Sequence, residues 1–270
     1  MAFFKKLFDF YVNASIHVSF SVLALVLMTN HMFGLSFNFA TAGFAFFGTM
    51  FAYNFIKYAE LIQRIQRRSK YLVAIFIAGT TAFLLCAYFF FKLRFTTQLA
   101  SVIFFGLTFL YAVPVFSKDQ NFRNFSGIKI YIVALCWAGV TTLLPLLDAE
   151  VALTFAMFLK FIQRFVLIIT LILIFEIIDL RHDAAELQTV PQKIGVKQTK
   201  ILGLGLLVLF YFLEFFQHSF VAEQLIINLI LIVVTALFTI FANPNRSQYY
   251  TSFWVEIIPI FWLLLEVYCC

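Results

Sequence analysis

The sequence predicts an all-α membrane protein that crosses the bilayer nine times. Three observations lead there. Of 270 residues, 63% are hydrophobic and 12% charged, with a mean hydropathy of +0.98, whereas a soluble domain carries about 25% charge. The apolar residues form long continuous runs, which suits helices, rather than the alternation of a membrane β-barrel. Basic residues, finally, collect in every second connection along the chain.

A spanning helix needs about 20 apolar residues, and nine runs meet that length or come close to it. The first, 14–34, follows Lys5 and Lys6 as in a signal peptide. No small-residue cleavage site follows it and further spans do, so it reads as a retained helix. The second, 38–57, leads into the charged loop 57–70. Runs 71–91 and 95–116 are joined by a short link with Lys92 and Arg94. The fifth, 128–147, follows a loop that carries Lys118 and Arg123. The sixth, 152–178, holds Lys160 and Arg164, four apart and on one helical face, and runs into a cluster of acids. The last three are 200–216, 224–242 and 252–268, with Trp254 and Glu256 opening the ninth.

The charges fix an orientation. The N-terminus and the loops after spans two, four, six and eight hold Lys57, Arg64, Arg67, Arg68, Lys70, Lys118, Arg123, Lys129, Arg181, Lys193, Lys197, Lys200 and Arg246. The opposite side holds Lys92 and Arg94 among acids such as Asp148, Glu150 and Glu223. The rule that basic loops stay in the cytoplasm then predicts an N-in, C-out chain. The same rule accounts for the net charge of +6 without nucleic acid as a partner. The cysteines show no metal-ligand spacing; Cys86 and Cys136 read as small core residues. An intramembrane arginine faces the bundle interior or a water-filled cavity, which makes Arg164 a candidate binding residue, while Lys160, nearer the outer end, suits snorkelling.

The inner loops 57–70 and 179–199 are the long ones, so a site is expected at the inner ends of spans two and six. There "FEIIDLRHDAAELQTVPQKIG" places Glu176, Asp179 and Asp183 at i, i+3 and i+7, on one face of a continued helix. Like charges on one face repel. A Mg²⁺ ion, which takes carboxylates together with phosphate oxygens and water, would favour the arrangement; the alternative is a solvated loop start with Asp183 paired to Arg181 or Lys193. "TVPQKIG" is a turn before the next helix, with Lys193 and Lys197 available to a phosphate.

The same stretch resembles the second aspartate-rich motif of the UbiA superfamily of intramembrane prenyltransferases, an acid followed by D-x-x-x-D and a "TlP..lG" tail. "YNFIKY", "FLYAVPVFSKDQNFRNFSGIKIYIVALCWAGVTTLLP" and "YYTSFWVEIIPIFWLLL" are similar to a bacterial subgroup of it. The resemblance covers the whole chain as one domain. It implies nine helices around a central, lipid-accessible cavity in a bacterial inner membrane. It also implies an isoprenyl diphosphate and a lipophilic acceptor as substrates, and Mg²⁺ as cofactor. Carried over residue by residue, Glu176, Asp179 and Asp183 would hold metal, with Asp179 and Asp183 catalytic, and Asn54, Lys118, Arg123 and Tyr111 would bind substrate. Lys57 is a candidate catalytic charge in place of a second ion, and Arg164 and Lys193 are candidate binding residues by their own placement.

The first family motif, N-D-x-x-D-x-x-x-D, is not matched. In "NFIKYAELI" Asn54 stands at the Asn, but Phe55, Tyr58 and Ile62 stand at the aspartates. Such side chains do not hold hard cations. Three readings follow: a transferase using one metal ion with help from Lys57; a non-catalytic isoprenoid or lipid binder; or a transporter. In a variant of these, Lys57 pairs directly with Glu176 or Asp179 across the cavity.

Overall fold

The computed structural model describes residues 2–64, 70–112, 127–184, 187–217 and 222–269, and among them there are helices and no strand. Each of the nine expected runs coincides with helical structure. The chain runs through α1 (Ala2–Asn13), α2 (Ile16–Met32), α3 (Phe39–Arg64), α4 (Lys70–Phe90), α5 (Phe95–Ala112), α6 (Lys129–Ala138), α7 (Leu144–Asp148), α8 (Phe155–Asp179), α9 (Val190–Leu213), α10 (Ala222–Phe241) and α11 (Ile258–Cys269). A π-helical turn, Gly139–Leu143, joins α6 to α7, and a second, Tyr250–Val255, leads into α11.

Seven segments among the described residues are long and apolar enough to cross a membrane. The pair α1–α2, bent by 54°, makes an eighth if it is one span, and Phe95–Leu110 is a shorter apolar helix. The chain is therefore a multi-pass membrane protein. The bend falls at Ser15, whose φ of 59° is left-handed. The sequence reading began its first span at residue 14 and missed the helix before it. In "FFKKLFDF" the charges of Lys5, Lys6 and Asp9 interrupt the apolar run, and Phe3, Phe4 and Leu7 are exposed. Helix α1 thus has the amphipathic character of a segment lying in a membrane interface.

Helix α8 is the centre. In its most apolar stretch 72% of residues are buried inside the protein, against 11% in α4. A helix hydrophobic on all sides is buried on all sides; Leu167, Ile168, Leu173, Ile174 and Ile177 of α8 pack with Leu25 and Met28 of α2, Phe210 of α9 and Trp262 of α11. Around it, α2 packs on α3 and α11, α3 on α4, α6 on α5 and α8, and α9 on α8 and α10.

The two basic residues inside the sixth run have interior partners. Lys160 does not snorkel: its Nζ lies 2.7 and 2.9 Å from the Glu214 carboxylate, which also accepts from Gln163 and Asn228 at 2.8 and 2.9 Å. Arg164 is 1% exposed. Its Nη1 donates to the hydroxyls of Thr29 and Thr142 and to the Thr141 carbonyl of the first π turn, and its guanidinium lies 5.9 Å from the centre of the Trp262 ring.

At Gly139, in that π turn, a Cβ would overlap the Phe104 ring of α5. Gly139→Ala is accordingly expected to destabilise the fold by about 1–3 kcal/mol, the usual cost of overpacking, while displacing Phe104. A thermal-shift measurement on the purified variant checks this; an unchanged midpoint would contradict the packing.

Candidate functional site

A cavity of about 580 Å³ lies among α3, α4, α5, α6 and α8. Most of its wall is apolar and aromatic, including Phe44, Phe51, Phe83, Phe90, Phe104 and Trp137. Glu176, Asp179 and Asp183 also line it, as do Lys129 and Glu256. The three sequence-predicted acids thus line one largely apolar chamber.

Local structure places each of them. Helix α8 ends at Asp179, and the turn that follows folds back on it: the His182 and Asp183 amides donate to the Asp179 carbonyl at 2.7 and 2.9 Å. That closure returns Asp183 to the cavity. The segment 189–195 then forms one helical turn. The Gln192 side chain accepts from the Thr189 amide at 2.8 Å and donates to the Ala184 carbonyl at 3.1 Å, tying the turn to the acidic loop. Gly195, at φ 81°, breaks that turn from the rest of α9, a conformation that suits glycine.

The positive partner of the cluster is Lys129. Its Nζ lies 3.7 Å from Glu176 Oε1, and the Val190 amide, at the α9 N-terminus, donates to Glu176 Oε2 at 3.0 Å. A helix N-terminus favours a carboxylate there. Glu176, expected as a metal ligand, therefore has both oxygens engaged by the protein itself. Lys129 was read only as a loop charge, because it sits at the edge of an apolar run where positive-inside flanks are routine.

Asp179 and Asp183 are different. Asp183 Oδ2 is buried with no hydrogen-bond partner, and Asp179 lies close enough to Asp183 to feel its charge. A buried unpaired carboxylate oxygen calls for an explanation, and a hard cation such as Mg²⁺ is one that fits two carboxylates. Among the described residues no three His, Cys, Asp or Glu side chains converge as a complete metal site. A cation held by Asp179 and Asp183 would need its remaining ligands from substrate and water.

The residues expected at the inner end of span two do something else. Asn54 Nδ2 donates to the Ala14 carbonyl and its Oδ1 accepts from Ser15, both at 3.0 Å. Tyr58 donates to the Asn13 carbonyl at 3.0 Å, and Lys57 Nζ lies 3.4 Å from Asn13 Oδ1. Together they clamp the bend between α1 and α2. Lys57 is not paired with Glu176 or Asp179; the carboxylate whose charge it senses is Glu256. Asn54 and Lys57 are absent from the described cavity wall.

Arg164 lies outside it too, held by Thr29, Thr141 and Thr142. Lys193 is exposed on the first turn after Thr189. Lys118 and Arg123 lie outside the described residues, as does the side chain of Tyr111. Cys86 and Cys136, read as core residues, line the cavity instead. His17 is buried between the Tyr11 hydroxyl at 2.8 Å and the Phe253 carbonyl at 2.9 Å.

No family model matches the chain, and no curated protein does. Solved structures match it over nearly its full length. A UbiA homolog from Archaeoglobus fulgidus bound to GPP and Mg²⁺ is similar with a TM-score of 0.64 at 12% identity, covering 96% of this chain and 98% of that one. The same homolog bound to DMAPP and Mg²⁺ gives 0.65 at 14% identity, with coverages of 96% and 98%. A digeranylgeranylglyceryl phosphate synthase gives 0.60 at 18%, with 98% of each chain covered. At these identities the likeness establishes the fold alone: the chain has a UbiA-like helical membrane fold.

Proposed function

We propose that this protein is a membrane prenyltransferase that binds an isoprenyl diphosphate and passes its isoprenyl group to a lipophilic acceptor. The observation that carries the reading is a single cavity with an aromatic, apolar wall and Asp179, Asp183 and the Lys129–Glu176 pair at its polar end. The wall suits a hydrocarbon chain and the polar end a diphosphate. The structural neighbours solved with GPP, DMAPP and Mg²⁺ support the choice of ligand class.

Asp179 and Asp183 would hold Mg²⁺, one ion rather than two, since Asn54, Lys57 and Tyr58 are occupied in the clamp on α1–α2. Bound there, Mg²⁺ supplies positive charge to the diphosphate leaving group. Lys129 contributes a fixed positive charge on the same side, oriented by Glu176, and lysine suits phosphate as a compact point charge. Lys118 and Arg123 belong to a loop from which basic residues would reach the same group. The apolar wall excludes water from the allylic carbon, which guards a reactive intermediate from hydrolysis. The loop charges support an N-terminus in the cytoplasm and a C-terminus outside, and the resemblance to a bacterial subgroup supports an inner membrane as the location.

Geranylgeranyl diphosphate is expected to stabilise the purified protein thermally in the presence of Mg²⁺ and not in EDTA. At a hundredfold excess over Kd the gain is about 2.7 kcal/mol. It is also expected to slow alkylation of Cys86 and Cys136 by an apolar maleimide. Absence of both effects would sink the reading. A second reading, a non-catalytic isoprenoid binder, draws on the lack of a three-carboxylate group among the described residues. It predicts protection of both cysteines by an uncharged isoprenoid in EDTA, with no release of diphosphate.

A further inference from the structure

Glu256 is the cavity acid that the reading above leaves without a task. It caps the π turn Tyr250–Val255, on the last membrane crossing rather than on α8. Its backbone is fixed from two sides: the amide donates to the Thr251 carbonyl at 3.1 Å, and the Ser21 hydroxyl of α2 donates to its carbonyl. Its side chain, by contrast, makes no hydrogen bond or ion pair among the described residues, and it faces the cavity. Lys57 acts on it electrostatically without touching it. A carboxylate that is held by its main chain and left unpaired at its tip, in a largely apolar and aromatic wall, is placed to accept a hydrogen bond from something inside.

We propose that Glu256 is a catalytic base, hydrogen-bonded to the hydroxyl of an uncharged acceptor and taking its proton during transfer. The proposal rests on the prenyltransferase reading. In the step, the acceptor oxygen forms a bond to the allylic carbon of the diphosphate, the bond from that carbon to the bridging oxygen breaks, diphosphate departs with the electron pair, and the hydroxyl proton passes to the Glu256 carboxylate. Balance needs no further reagent. The same lining sets the acceptor class. Four acids, Glu176, Asp179, Asp183 and Glu256, line a cavity whose one described cation, Lys129, is engaged by Glu176. An acceptor bearing its own carboxylate would be repelled there; a neutral alcohol or phenol is not, and it donates the hydrogen bond that Glu256 lacks. A held and aligned base of this kind contributes roughly 100-fold or more to rate.

The test separates ionisation of the diphosphate from transfer. Full-length protein in nanodiscs is given Mg²⁺ and geranyl diphosphate labelled in its bridging oxygen, with hexadecanol or nonylphenol as neutral acceptors and hydroxybenzoate as an anionic one. Scrambling of the label reports carbon–oxygen cleavage without any acceptor. Wild type is expected to scramble the label and to geranylate a neutral acceptor in preference to hydroxybenzoate. Glu256→Gln is expected to scramble it equally and to lose transfer roughly 100-fold or more, with partial recovery in Glu256→Asp. Full transfer by Glu256→Gln overturns the assignment. So does loss of scrambling together with transfer in a monodisperse, normally stable Glu256→Gln, which would make the residue part of the diphosphate site. Scrambling in wild type without transfer to either neutral acceptor overturns the acceptor class. No scrambling in wild type removes the transferase reading, and the base with it.

Discussion

Asp183→Asn is expected to abolish the Mg²⁺-dependent stabilisation by geranylgeranyl diphosphate while leaving the ligand-free protein as stable as before, or more stable. The two halves of that result come from one atom. Asp183 Oδ2 is buried with no partner and stands beside the like charge of Asp179. Leaving a buried polar group unsatisfied costs about 1–3 kcal/mol, more when it is charged. The asparagine removes the charge and the repulsion, so folding without ligand loses nothing. Ligand binding loses a hard anionic donor that a Mg²⁺ ion requires, and with it the roughly 2.7 kcal/mol expected at a hundredfold excess over Kd. Thermal unfolding in detergent, with and without the diphosphate and Mg²⁺, reads both. A structural Asp183 would give the opposite pattern: a less stable apo protein with the ligand effect intact. Asp179→Asn is expected to show the same loss of response.

Glu214→Ala is expected to be the most damaging single change outside the cavity, at about 3–5 kcal/mol. The Glu214 carboxylate is the acceptor for Lys160, Gln163 and Asn228, and its removal strands a buried ammonium together with two amides. Taking out both charges is a different matter. A buried ion pair is often replaceable by apolar groups of similar size at little cost, so Lys160→Met combined with Glu214→Leu should recover much of the loss. Equilibrium unfolding in mixed SDS micelles gives the three free energies. A double variant no better than Glu214→Ala would show that the pair is not the unit that matters.

How much of this was legible in the sequence follows from what each signal measures. Most span positions were readable to within a few residues because burial in a bilayer demands continuous apolar length; the seventh begins at Val190 rather than 200, because the polar first turns of α9 carry no such signal. The bent start was not, since the interrupted pattern of α1 falls below any spanning threshold. The acids of 176–183 were readable because like charges on one helical face are costly and stand out against leucine and isoleucine. Lys129 and Glu256 were not. Each sits near an end of an apolar run, where a charge is ordinary, and only tertiary packing turns it toward the cavity. Asn54 and Lys57 were assigned to the cavity through the resemblance, but helical phase alone could not tell that their tips reach back 40 residues to the α1–α2 bend. Arg164 was correctly expected to face the interior. What it meets there, a π-turn carbonyl and two threonine hydroxyls, depends on a backbone irregularity that propensity does not encode.

The clamp on that bend also dictates an order of maturation at the ribosome. Ser15 is held in its left-handed conformation by Asn54, which is synthesised 39 positions later. Until that second hydrophobic segment has entered the bilayer, the bend is crossed only by local contacts such as the Tyr11–His17 hydrogen bond, and the Asn13 and Ala14 carbonyls lack their side-chain donors. The opening pair of segments must therefore settle as a hairpin. A polypeptide truncated between residues 34 and 54 is expected to insert with a less firmly fixed bend, and fusions or signal tags judged on such a fragment would misreport how the intact chain begins.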